Sequence, residues 1–375
     1  MADPSVPVDI VTLASAFVGG RVLLAWLPPG APGGHALRDL PHTLAASFLF
    51  GLACITLALQ VLPSDDGLWI WSAVVLVLMG VRLAARPLAM MPRHEPALER
   101  ASPLARVALA CAWLLVFAAV VTRSTADVWR FESLWQSETL IVFSAVVLCD
   151  WACCIARGSH WTRAWAAAAF AALLATYPED SISGAGVRAA FFVAGAASSV
   201  AWFQRADRRA LILAVVFFAA TMLFARGGWA LALAGVVSLA VGTPAPSRPR
   251  VAVAALAALA VFGAVAWRGT PVWPSEWRGP ISPILSALIG LLFLPVVFAR
   301  WRDSRRTTTP AWNPSGARVG HERAMLSRTV VAALILAFAA RALDAEVRAD
   351  LALLPALFAL VLLSGLSVRR LLVQA

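Results

Sequence analysis

Apolar residues run through this chain in solid blocks, parted by short clusters of arginine, proline and glycine. Windows such as 107–122, 210–225 and 351–366 carry no charged residue at all. Their length approaches the roughly 20 residues that an α-helix needs to cross a bilayer. The blocks do not alternate apolar with polar, as barrel strands would, so they predict helices. Spans are expected near 8–27, 42–62, 68–85, 105–122, 138–156, 164–177, 187–204, 210–225, 228–243, 251–267, 283–299, 329–343 and 351–368. Arg21 interrupts the first, so the expected fold is all-α, a polytopic integral membrane protein with about 12–13 transmembrane helices.

Composition agrees with the pattern. Of the 375 residues, 61% are hydrophobic and 14% charged, against about 25% charged in a soluble domain. No cleavable signal peptide is expected, since the first segment lacks a basic start and a small-residue cleavage site. One transmembrane domain is expected over 1–375: N-terminal helices to 177, core helices and outer loops over 178–299, a polar loop over 300–328, and a helical hairpin with a tail over 329–375.

The net charge of +11 would suit nucleic acid, but its distribution excludes that partner. All 31 basic residues are arginines, and most sit in short loops between apolar blocks. Loops 86–106, 157–163, 205–209, 244–250 and 300–328, with the C-terminal tail, hold twenty arginines. The alternating loops 123–137, 178–188, 226–228, 268–282 and 344–350 hold seven, with eight acids against five in the first set. The positive-inside rule makes the first set cytoplasmic, the C-terminus included, and the second set external.

Cys54, Cys111, Cys149, Cys153 and Cys154 fall inside spans without CxxC spacing and read as small buried hydrophobes. The five histidines lie in or beside expected cytoplasmic loops and show no ligand spacing. No metal, nucleotide or other cofactor is expected, because P-loop, dinucleotide and nucleophile-elbow motifs are missing.

Candidate chemistry lies in the outer loops. Arg226 stands with Gly227 and Gly228 in "MLFARGGWALALAGVV", between two apolar blocks. It reads either as an arginine snorkelling to lipid phosphate or as a fixed cation for a diphosphate, with glycine leaving room for the headgroup. Arg188, in "SGAGVRAAFF", follows a Gly-rich turn at a helix start, which suits an anion. It reads as a second clamp or as an interface anchor. Loop 268–282 gathers Trp273, Glu276, Trp277 and Arg278. These form either an interfacial tryptophan belt or a sugar platform whose carboxylate acts as a general base. Loop 123–137 has a similar character, with Trp129, Glu132 and Trp135. Arg21, Arg82 and Asp150 lie in or near spans, and Asp150 could pair with Arg21.

The order of these features resembles the O-antigen ligase and O-antigen polymerase superfamily over roughly 180–370. "LILAVVFFAATMLFARGGWALALAGVVSLAVG" (211–242) resembles the family's segment in which an apolar helix ends in a Ser-Arg-Gly-like turn, with Ala225 in place of the serine. "SISGAGVRAAFFVAGAA" (181–197) stands where the family has an outer loop with an essential arginine. "PILSALIGLLFLPVVFARW" (283–301) resembles the helix after the catalytic loop, and 333–366 resembles the last hairpin, with Asp344 at its turn. Aligning Gly290 with the final glycine of the ligase pattern sets Glu276 on its histidine and Trp277 on its asparagine, so the ligase histidine is replaced.

The resemblance implies transfer of a polyprenyl-diphosphate-linked glycan at the outer face of a bacterial inner membrane. Arg226, Gly227 and Arg188 would hold the diphosphate, Trp273, Trp277 and Arg278 the glycan, and Glu276 would activate the acceptor. Two alternatives stand beside it: a non-catalytic subunit packed on membrane-protein partners, and a transporter or flippase carried by Asp150.

Overall fold

The computed structural model describes residues 5–27, 40–61, 74–75, 77–78, 102–124, 138–156, 159–176, 185–205, 207–223, 228–243, 247–268, 283–304, 324–332, 335 and 350–373. Among these, every regular element is a helix. The α-helices are α1 (Ser5–Trp26), α2 (Leu40–Val61), α3 (Pro103–Ser124), α4 (Glu138–Ile155), α5 (His160–Thr176), α6 (Ala185–Arg205), α7 (Arg208–Ala220), α8 (Gly228–Gly242), α9 (Arg248–Arg268), α10 (Pro283–Ser304) and α11 (Asp350–Val373). A 3₁₀ turn, Thr221–Leu223, closes α7.

Local chemistry explains several starts. The Asp207 carboxylate accepts the Arg209 N–H at 2.9 Å and caps α7. Ser102 accepts the Ala105 N–H at 3.2 Å ahead of Pro103, the ring already set for a first helical position. The Thr162 N–H donates to Ser159 at 3.3 Å in front of α5.

Helix α6 is the centre. Every residue from 186 to 201 is buried, and α4, α7, α8 and α11 pack around it. Its apolar side chains face neighbours on all sides, as a helix without a polar face requires. Phe218 of α7 seats its ring on Gly195 of α6 and Gly235 of α8, so one aromatic joins three helices. Helices α1 and α2 meet through small residues one turn apart. Gly20 lies on the Ser47 carbonyl and Gly51 on the Ala16 carbonyl, backbone against backbone. Small residues at four-residue spacing permit that approach.

Helix α3 is the opposite case. It buries Ala105, Ala112, Val116 and Val120, one stripe at helical spacing, and presents Leu104, Val107, Leu114, Leu115 and Phe117 outward. Helices α9 and α10 do the same, with Val253, Leu256 and Val261, and with Leu294, Val297 and Phe298, facing out. Among the described residues, four helical segments are long and apolar enough to cross a membrane: Pro41–Ala58, Pro103–Val120, Gly186–Gln204 and Arg248–Ala266.

Two expectations need correction at this level. The chain was expected to be a polar loop over 300–328, but 300–304 continue α10 and 324–328 are helical. Met325 and Leu326 explain the second stretch, since both are fully buried. Arg21 does not interrupt α1, because its side chain is on the exposed side of a continuous helix.

Candidate functional site

The two ends of the bundle carry different chemistry. One end brings together the start of α2, the end of α4 and the start of α5 around Asp150. Its carboxylate accepts two hydrogen bonds from the Arg163 guanidinium, Nε to Oδ1 at 2.7 Å and Nη2 to Oδ2 at 2.8 Å. His42 Nε2 lies 3.2 Å from Oδ2. Asp150 and His42 are buried and Arg163 is mostly so. A planar guanidinium matched to a carboxylate is the strong form of an ion pair.

Asp150 therefore pairs with Arg163 and His42, not with Arg21 as the sequence suggested. The physical reason is the hairpin: α4 runs towards this end and α5 returns from it. Thirteen residues on, Arg163 is one turn into α5 and level with Asp150. His42, expected in or beside a loop, is buried in the first turn of α2. A signal was present. An acid inside an apolar span needs a partner, and the nearest arginine returning to the same end of that hairpin is the first place to look.

Cys154 completes the cluster. It lies one turn after Asp150 on the same face of α4, and its sulfur, His42 and Asp150 offer ligand atoms all within 4.8 Å of one another. None of the five cysteines is in a disulfide.

His160 opens α5 beside this cluster, ahead of the helix's apolar part. Burial, then the positive charges of Arg163 and Arg106, hold its imidazole below the ordinary value. Folding thus weakens proton binding, so the stability it contributes is intact above the ordinary histidine range and falls as pH drops through it. Removing one neighbouring charge by Arg106→Gln is expected to raise the His160 titration midpoint in histidine NMR. An unmoved midpoint would show that the starts of α3 and α5 do not share this end.

The other end holds Arg188. It sits in the first turn of α6 and is fully buried, the largest such side chain among the described residues. The sequence set it at a helix start beside the outer surface; the structure has it in that helix and buries it. Helix α6 ends at Arg205 and α7 begins at Arg208. Phe191 and Phe192 of α6 still meet Phe217 and Phe218 of α7, far from that short connection, so the two helices run antiparallel. Arg188 is consequently at the end where α7 finishes. Gln60, at the end of α2, donates to the Leu223 carbonyl at 3.3 Å there.

Thr221 and Gly228 bracket the turn between α7 and α8. The Thr221 hydroxyl lies 2.6 Å from the Phe218 carbonyl and 3.1 Å from that of Gly228. A side chain on Gly228 would overlap the Thr221 carbonyl. This glycine, expected to make room for a headgroup, is needed for the close approach of its backbone to that of Thr221. Arg226 and Gly227 within the turn lie outside the described residues, as do Trp273, Glu276, Trp277 and Arg278 of the loop after α9. Trp129, Glu132, Trp135 and Arg82 lie outside them too.

No family model matches this chain, and no curated protein or solved structure matches it either.

Proposed function

We propose that the chain is a polytopic inner-membrane protein with about 12–13 spans that transfers a polyprenyl-diphosphate-linked glycan at the outer face. The membrane part is supported by α3, α9 and α10, whose outward faces are leucine, valine and phenylalanine. Water would leave those faces unsatisfied, whereas lipid tails match them. The orientation is supported by the arginines: the positive-inside rule makes the loops that hold most of them cytoplasmic, 157–163 with Arg163 among them, which sets the Asp150 end on that side.

Arg188 carries the transferase reading. A permanently charged guanidinium is wholly buried in the first turn of the central helix, at the end where α7 finishes and α8, which follows Arg226 in the chain, begins. Ionisable groups inside membrane bundles mark functional sites by default. The positive end of α6 adds to the same field. Arg188 and Arg226 would grip the diphosphate and stabilise the charge that develops on it as the leaving group. Glu276 would take the acceptor proton. The donor linkage already stores the energy for transfer.

The test is accumulation of lipid-linked glycan in cells carrying variants. Arg226→Lys keeps the charge but loses the two-pronged hydrogen bonding. It is expected to cost transfer about as much as Arg226→Ala, on the order of tenfold or more, with membrane abundance unchanged. Arg188→Lys is expected to behave alike. Full transfer by both lysine variants would remove the diphosphate clamp. Normal surface glycan after deletion of the whole chain would favour the accessory-subunit reading, for which the exposed flanks of α3 and α10 are the docking faces.

A further inference from the structure

We propose that His42, Asp150 and Cys154 form a transition-metal site at the Asp150 end of the bundle, of the kind that takes zinc. The proposal is independent of the glycan reading, which concerns the opposite end.

The donor set comes first. A neutral imidazole, a carboxylate and a thiolate are the nitrogen, oxygen and sulfur ligands that zinc accepts. The sulfur disfavours magnesium and calcium, which take oxygen. Three protein donors leave a fourth position for water or another ligand, as in zinc sites that do chemistry.

Spacing comes next. Two ligands about 2.0 Å from a tetrahedral ion stand about 3.3 Å apart. His42 Nε2 and Asp150 Oδ2 are 3.2 Å apart. That is long for a charge-assisted hydrogen bond, about 2.7–2.9 Å, and the Arg163 contacts to the same carboxylate are that short, at 2.7 and 2.8 Å. The sulfur would stand about 3.5 Å from the other donors around such an ion. All three donors already lie within 4.8 Å, so a movement on the order of 1 Å by the Cys154 side chain suffices, within the reach of a χ1 adjustment.

The surroundings agree. Asp150 and Cys154 are one turn apart on α4, which sets both on one face without help from loops. His42 approaches from the first turn of α2. Arg163 grips both carboxylate oxygens and orients the group, as outer partners of metal ligands do. Each oxygen keeps a lone pair for the ion. With a divalent ion, the carboxylate and the thiolate balance its charge, and Arg163 leaves the cluster at +1. The thiol proton leaves to solvent on binding.

Cobalt(II) titration of the full-length chain, purified in detergent under reducing conditions and stripped by a chelator, tests this. One equivalent is expected to bind with a thiolate-to-cobalt charge-transfer band and the strong visible bands of four-coordination, and zinc should bleach both. Cys154→Ser is expected to abolish the charge-transfer band and to weaken binding about tenfold or more. Cys111→Ser, which alters an exposed cysteine on α3, should leave both unchanged. Absence of a thiolate band in the unaltered chain, or its persistence in Cys154→Ser, would overturn the site. The first criterion needs no variant, so it holds even if Cys154→Ser folds poorly.

Discussion

Asp150→Asn is expected to destabilise the protein by about 3 kcal/mol, the lower part of the range for leaving one member of a buried pair behind. Its neutral amide cannot balance the Arg163 guanidinium, which is bound through two nitrogens and only 19% exposed. The charge then stays in a place built for a pair. Adding Arg163→Gln removes the stranded cation, so the double variant should recover most of the loss. Cys149 and Cys153, at 1% and 0% exposure on α4, provide the measurement. Their modification by a thiol reagent in detergent, followed against temperature, reports opening of this part of the core. Labelling of Asp150→Asn at the unaltered protein's temperature would mean that the pair adds nothing. Failure of the double variant to recover would mean that the loss comes from His42 or from packing.

Gly51→Ala should be nearly as damaging. Its methyl group would overlap the Ala16 carbonyl of α1, and no rotamer can relieve a clash between a Cβ and a backbone. The helices must part, breaking the Gly20–Ser47 contact as well. The upper part of the overpacking range, about 3 kcal/mol, is the expected cost. Gly290→Ala on α10 is the matched control, because nothing lies within 4 Å of a Cβ there. That change should be neutral, or stabilising by up to about 1 kcal/mol through helix propensity. Thermal unfolding of the two variants in one detergent decides the matter. Equal midpoints would show that α1 and α2 do not pack through their glycines.

The helices themselves were legible in the chain. Expected spans at 42–62, 138–156 and 228–243 became α2 (Leu40–Val61), α4 (Glu138–Ile155) and α8 (Gly228–Gly242). Each apolar block satisfies its own backbone hydrogen bonds, so its existence depends on local residues alone. Boundaries moved where a cap decided them, as Asp207 did for α7. The polar look of 300–328 misled because buried contacts of Met325 and Leu326 outweigh the arginines around them.

The candidate site divides in the same way. Arg188 and Asp150 stood out from sequence because a charge in an apolar block is conspicuous in one dimension. Their surroundings did not. His42 and Asp150 are 108 residues apart, and nothing in either segment names the other. Gly228 looked like space left for a ligand, yet it is space filled by the Thr221 backbone. Which apolar faces meet helices and which stay outward was equally hidden, since α3 and α6 are both apolar all round. The physical reason is that period and charge are properties of one helix, readable along the chain. Partnership between helices depends on the depth and facing of each side chain, which only their packing decides.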